Sequence, residues 1–123
     1  HLGAMTSAAL ALSGTPVTVD LRSPGTATWG TQARKTSGAV QLLWAGNVVR
    51  DGSLKYAGAN NDRDPILNVV GGNTPTAVAF GYYREDVNMS GVVKYAGTAN
   101  DRDPILVNVG GTVPTAVRVE QLP

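Results

Sequence analysis

Residues 52–78 (GSLKYAGANNDRDPILNVVGGNTPTAV) return as residues 91–117 (GVVKYAGTANDRDPILVNVGGTVPTAV). The offset is 39 residues without a gap, and 19 of 27 positions are identical. Such a repeat commits the chain to building one local unit twice. The repeated letters are of one chemical kind. Each copy has a polar turn, then Lys-Tyr-Ala-Gly, then Asn-Asp-Arg-Asp-Pro-Ile-Leu, then Gly-Gly. That is a loop rich in oxygen donors feeding a short capped helix. It points to cation binding and scaffolding more than to catalysis.

Length and composition narrow the field. A chain of 123 residues is one compact domain by size. Its net charge of +1 and lack of any Lys/Arg run argue against nucleic acid as a partner. There is no cysteine, so disulfides and thiolate metal sites are excluded. No stretch approaches the roughly 20 apolar residues of a membrane span, so no membrane insertion is expected. The chain opens on His1 without a signal-peptide pattern and reads as a fragment or processed product of a longer protein.

The expected fold class is α+β, mostly β: N-terminal antiparallel strands followed by two loop–short-helix repeats. The expected regions are 1–45 (strands), 46–84 (repeat 1 with linker) and 85–123 (repeat 2 with a C-terminal strand). Val17, Val19 and Leu21 alternate with Thr18, Asp20 and Arg22, the pattern of a half-buried strand. A turn at residues 23–26 and a return strand to Trp29 follow. Residues 39–45 (AVQLLWA) predict a strand with Val40, Leu42 and Trp44 on one face. Residues 1–5 predict an edge strand, and residues 117–123 a final one. In each repeat Asn and Asp suit the helix N-cap, Pro65 and Pro104 the first turn, and the Gly-Gly pair the stop. Lys55-Tyr56 and Lys94-Tyr95 are expected to close a strand pairing between the repeats. The aromatic linker 79–83 (AFGYY) is expected to pack between them.

The segment from Asp86 to Val92 (DVNMSGV) has the front half of an EF-hand-type calcium loop. Asp86, Asn88 and Ser90 fall at positions 1, 3 and 5, Gly91 at the sharp turn, and Val92 offers its carbonyl at position 7. Position 12 is Gly97, which cannot ligate, so Asp101 or Asp103 must close the loop. In the first copy the same positions hold Asn47, Val49 and Asp51, with Ser53 at position 7 and Asp62 or Asp64 to close. Val49 offers no side-chain oxygen, so the second loop is expected to bind more tightly. The competing account is that these residues only cap helices and turns. Arg63 and Arg102, each between two acids, are expected to orient a carboxylate.

Paired Asp-x-Asn-x-(Asp/Ser)-Gly loops, each followed by a short helix, resemble dockerin modules. Lys-Tyr-Ala-Gly, Asn-Asp-Arg-Asp-Pro-Ile-Leu and Gly-Gly-Thr-Val-Pro-Thr resemble the C-terminal region of large secreted, cell-surface proteins of Bacteroidetes-type bacteria. So do the ending Arg-Val-Glu-Gln-Leu-Pro and the opening His-Leu-Gly-Ala-Met-Thr. The resemblance covers most of the chain. It departs from the family loop at Ser90, which replaces an Asp, and at Val49, which replaces an Asn. It implies calcium and an extracellular location. Dockerins attach enzymes to scaffolds through protein partners.

Catalysis is not expected. His1 is the sole histidine and sits at the terminus, so a Ser-His-Asp triad or a histidine zinc site lacks its parts. Duplicated Asp pairs suit a structural role better than an acid/base pair in two different environments. The leading expectation is therefore a calcium-binding structural or assembly module of a bacterial surface protein. It would self-associate by strand addition into a fibre or appendage, or join another surface protein. The alternative is a recognition module for a protein or a glycan. Trp29, beside Gly30, is the aromatic expected to be exposed for sugar stacking, and Trp44 is expected in the core.

Overall fold

A computed structural model describes all 123 residues. It is α+β, built from small antiparallel strand pairs and two helices. The chain divides into two compact units: His1–Leu2 with Ala45–Val119, and Gly3–Trp44 with Glu120–Pro123.

The first unit holds both repeats. Strand β3 (Ser53–Lys55), helix α1 (Arg63–Val69) and strand β4 (Val78–Phe80) come from the first copy. Strand β5 (Val92–Lys94), helix α2 (Arg102–Val109) and strand β6 (Val117–Val119) come from the second. The strands pair across copies. β3 pairs with β6 and β4 with β5, both antiparallel. The registers are related by the repeat: Ser53 faces Val119 as Val92 faces Phe80. The helices cross over too, with α1 packing on β5 and α2 on β3. Each copy therefore completes the other.

The core is made of repeat-related pairs. Val48 and Val87, Leu54 and Val93, Ile66 and Ile105, Val70 and Val109 are all buried, joined by Leu2. Gly46 lets the chain pass close to this core; a Cβ there would lie 2.8 Å from Ile105 and 3.1 Å from Leu54. Asn61 and Asn100 cap the helices. Each side-chain oxygen accepts from the amide two residues into the helix, Asp64 or Asp103, at 2.9 Å. Each side-chain amide donates back to that Asp carboxylate at 2.8 Å, a reciprocal box that satisfies the free ends of the first turn. Both helices stop at the expected Gly-Gly, where Gly72 and Gly111 donate to the carbonyls of Leu67 and Leu106.

The aromatic linker does not pack between the repeats as expected. Phe80 and Tyr83 are exposed, and the Tyr82 ring is fully open to solvent. The aliphatic pairs already fill the interior. Phe80 occupies the outward strand position whose counterpart, Val119, is exposed as well.

The second unit has one regular hairpin, β1 (Lys35–Ser37) with β2 (Val40–Leu42). Val40 and Leu42 point outward, contrary to expectation, while Trp44 is buried and its indole N–H donates to the Gln32 carbonyl at 2.8 Å. Residues 17–22 form no strand. Asp20 accepts from the Arg22 amide at 2.9 Å and turns the chain. Arg34 then gathers the carbonyls of Leu21, Ser23 and Thr26. The return strand to Trp29 and the edge strand at residues 1–5 shrink to isolated bridges, Thr6 with Thr28 and Ala4 with Gln121.

Candidate metal centre

The two loops are wound by their own carboxylates. In the second loop, Asp86 accepts from the amides of Ser90 at 2.9 Å and Gly91 at 2.6 Å. The Asn88 side-chain oxygen accepts from the Ser90 amide at 3.0 Å, and its side-chain amide donates to the Ala99 carbonyl at 2.9 Å. The Ser90 hydroxyl donates to the Val92 carbonyl at 3.2 Å. These bonds wind residues 86–92 into a tight loop.

Asp101 ties that loop to the helix start. It is wholly buried, and it accepts from the amides of Asn88 at 3.1 Å and Lys94 at 2.8 Å. Its own amide donates to the Lys94 carbonyl. Burial raises its carboxyl above the ordinary 3.8, against the pull of the amide donors, and the nearby Asp86 charge adds to the rise. No Lys or Arg forms an ion pair with Asp86 or Asp101.

The first loop repeats the frame with different chemistry. Asp62 is also wholly buried and accepts from the amides of Val48, Val49 and Lys55 at 2.7, 2.9 and 2.8 Å. Burial raises its carboxyl too, and the Asp51 charge adds to this. Asn47 accepts from the Arg50 amide, and Asp51 from the Ser53 amide. Here a cation is already present: the Lys55 ammonium lies 3.9 Å from the Asp51 carboxylate.

Asp64 and Asp103 do not join these groups. Each is bound to the capping Asn and to the neighbouring arginine, Arg63 at 3.3 Å or Arg102 at 3.6 Å, with its side chain more than half exposed. The arginines lie over the repeat tyrosines, Arg63 at 5.2 Å from the Tyr56 ring centre and Arg102 at 5.1 Å from that of Tyr95. The expected orienting ion pair therefore comes with a cation–π contact. That contact was legible in the repeated Lys-Tyr and Arg only as coincident copies.

The donors suit a hard cation. The second loop and the start of α2 carry two carboxylates, an amide oxygen, a hydroxyl and a backbone carbonyl, all of them oxygen donors. No three His, Cys, Asp or Glu side chains come together anywhere, so such a site would carry low negative charge. Trp29 lies in the other unit and is 46% exposed, open enough for contact with a ligand. The chain matches no protein-family model, no curated protein and no solved structure.

Proposed function

We propose that this chain is a non-catalytic, calcium-stabilised structural module of a bacterial surface protein, with the ion in the second loop. The observation that carries this reading is wholly buried Asp101, tied to the loop amides of Asn88 and Lys94, with Asp86 on the same loop and no Lys or Arg ion-paired to either. The Asp86 charge adds to the cost of ionising buried Asp101, and a divalent cation removes that cost. Asp86, Asn88, Ser90, the Val92 carbonyl and Asp101 would hold it. The ion supplies positive charge that ties the loop to the start of α2. Asn47, Asp51, Ser53 and Asp62 would hold an ion only weakly, because Lys55 already balances Asp51. The extracellular, cell-surface location rests on the family resemblance.

Thermal melting with millimolar calcium and with chelator tests the site. A ligand that binds only the folded state raises the melting point. Calcium should raise it, Asp86→Ala should abolish the rise, and Asp51→Ala should keep most of it. No shift in the parent chain would leave the loops as turns and caps alone.

Assembly is part of the same proposal. Each strand pair has only two members, so outer edges stay open. Leu10 is 48% exposed and Leu12 fully exposed, an apolar stretch that strand addition would cover. Light scattering should find particles larger than one chain, reduced by Leu10→Ser with Leu12→Ser. Those positions spare Leu2, which belongs to the core. A monomer throughout would remove assembly from the reading.

A further inference from the structure

Every strand pair of the repeat unit joins the two copies, β3 to β6 and β4 to β5. The ties that shape each loop stay inside one copy. Asp62 holds the amides of Val48, Val49 and Lys55, and Asp101 those of Asn88 and Lys94. Each copy is therefore a self-held half whose strands are completed only by another half. With 19 of 27 positions identical, the two halves present similar surfaces. They are joined through residues 81–84, where Gly81 holds a φ of 133°. Around this hinge Phe80, Tyr82 and Tyr83 are all exposed. Three large aromatic side chains left in water within four residues form an apolar patch of the kind that marks an interface.

We propose that the partner at this patch is a second copy of the chain, taken up by exchange of the second repeat. Residues 81–84 straighten, and β5, α2 and β6 of each chain dock on β3, α1 and β4 of the other. Every strand pair and core contact of the unit is kept; only the chain that supplies it changes. The bonds that Glu120 and Gln121 accept from the Gly3 and Thr31 amides are remade in the same way. Straightening breaks the turn bond from the Asp86 amide to the Tyr83 carbonyl. Each of the two lobes so formed holds a first repeat from one chain and a second from the other. Both hinges span the gap between the same two lobes, so they run side by side. The aromatic side chains of one hinge then meet those of the other and leave water. That contact does not exist in a single chain, and it is what favours exchange. The proposal does not rest on the metal reading, because Asp86, Asn88, Ser90 and Asp101 travel together in one copy.

The chain has no cysteine, so disulfide trapping reads the exchange directly. Ser53 and Val119 are register partners. Full chains carrying Ser53→Cys are mixed with full chains carrying Val119→Cys, unfolded in urea, refolded together at millimolar concentration and oxidised. All chains also carry Leu10→Ser with Leu12→Ser, which removes the edge association of the proposed function, so the two assembly readings fail separately. A disulfide between the two kinds of chain forms only if β3 of one lies against β6 of the other. Val78→Cys chains mixed with Val119→Cys chains supply the background, since β4 and β6 do not pair in either arrangement. The facing pair should crosslink about ten-fold or more above that background. Val78→Cys with Lys94→Cys, register partners in the other sheet, should do the same. Adding Tyr82→Ser with Tyr83→Ser should weaken the dimer by about ten-fold, and an unchanged melting temperature establishes that these chains are folded. The inference is overturned by crosslinking at background level in both sheets, or by a dimer of unchanged strength without the tyrosines.

Discussion

Asp62 and Asp101 do at the residue scale what a cap residue does not. Both precede a helix, yet neither side chain caps it. Each turns back to hold the amides of its own loop instead. Asp101→Asn keeps the shape but replaces one accepting oxygen with a donor, leaving a buried amide without its acceptor. That should cost about 1–3 kcal/mol. Asp103→Asn, more than half exposed, should cost far less. Urea unfolding of the two variants decides this, and equal losses would remove the loop-tying role. The pH dependence follows from the same burial. Both carboxyls have folded values raised above 3.8. The folded state therefore holds their protons more tightly than the unfolded chain. Their contribution to stability falls as pH rises from about the unfolded value through the folded one, then stays flat. In chelator, these two carboxyls should make the melting point rise on acidification through that window, and Asp101→Asn should shrink the slope. With calcium bound the sign reverses, because protons then compete with the ion. A melt series in both conditions reads the two slopes.

At the scale of elements, the helices were legible in full and the strands in part: those at 40–42 and 117–119 and the pairing between repeats at Lys55 and Lys94 formed, whereas those at 1–5, 17–22 and 26–29 did not. The helix signals are local: Asn three residues before Asp, Pro in the first turn, Gly-Gly after the last. Asn100→Ala removes an oxygen that accepts at 2.9 Å and should cost about 1 kcal/mol, with Asn61→Ala matching it by repeat symmetry. A cost confined to one copy would contradict the shared cap. Strand signals depend on partners far along the chain. The alternation at residues 17–21 looked like a strand, but a side-chain turn at Asp20 and three carbonyls drawn to Arg34 offered that backbone other partners. Val40 and Leu42 lie on a hairpin with only one neighbour, so periodicity could not say which face would be covered. The loop oxygens of Asp86, Asn88 and Ser90 were readable from spacing. The choice of Asp101 over Asp103 was not, since both acids sit within reach in sequence and only the cap formed by Asn100 separates their roles.

At the scale of the molecule, the repeat acts as a mutual fold within its unit. β3 has its partner in β6 and β4 in β5, while α1 lies on β5 and α2 on β3. Neither copy pairs its own two strands, and the second keeps one helix–strand contact of its own, α2 on β6. Loss of packing in one copy must therefore be felt in the other. Ile66 is wholly buried on α1, a helix of the first copy that packs on β5 of the second. Ile66→Ala should cost about 2–5 kcal/mol. In native-state hydrogen exchange the amides of β5 and β6 should lose protection by the same amount as those of β3 and β4. Ile105→Ala should give the mirror result. If protection fell in the first copy alone, the copies would be opening as separate cooperative units. The same coupling carries the metal reading across the repeat: calcium held only in the second loop should protect β3 and β4 as strongly as β5 and β6, because the first copy has no way to open without undoing the second.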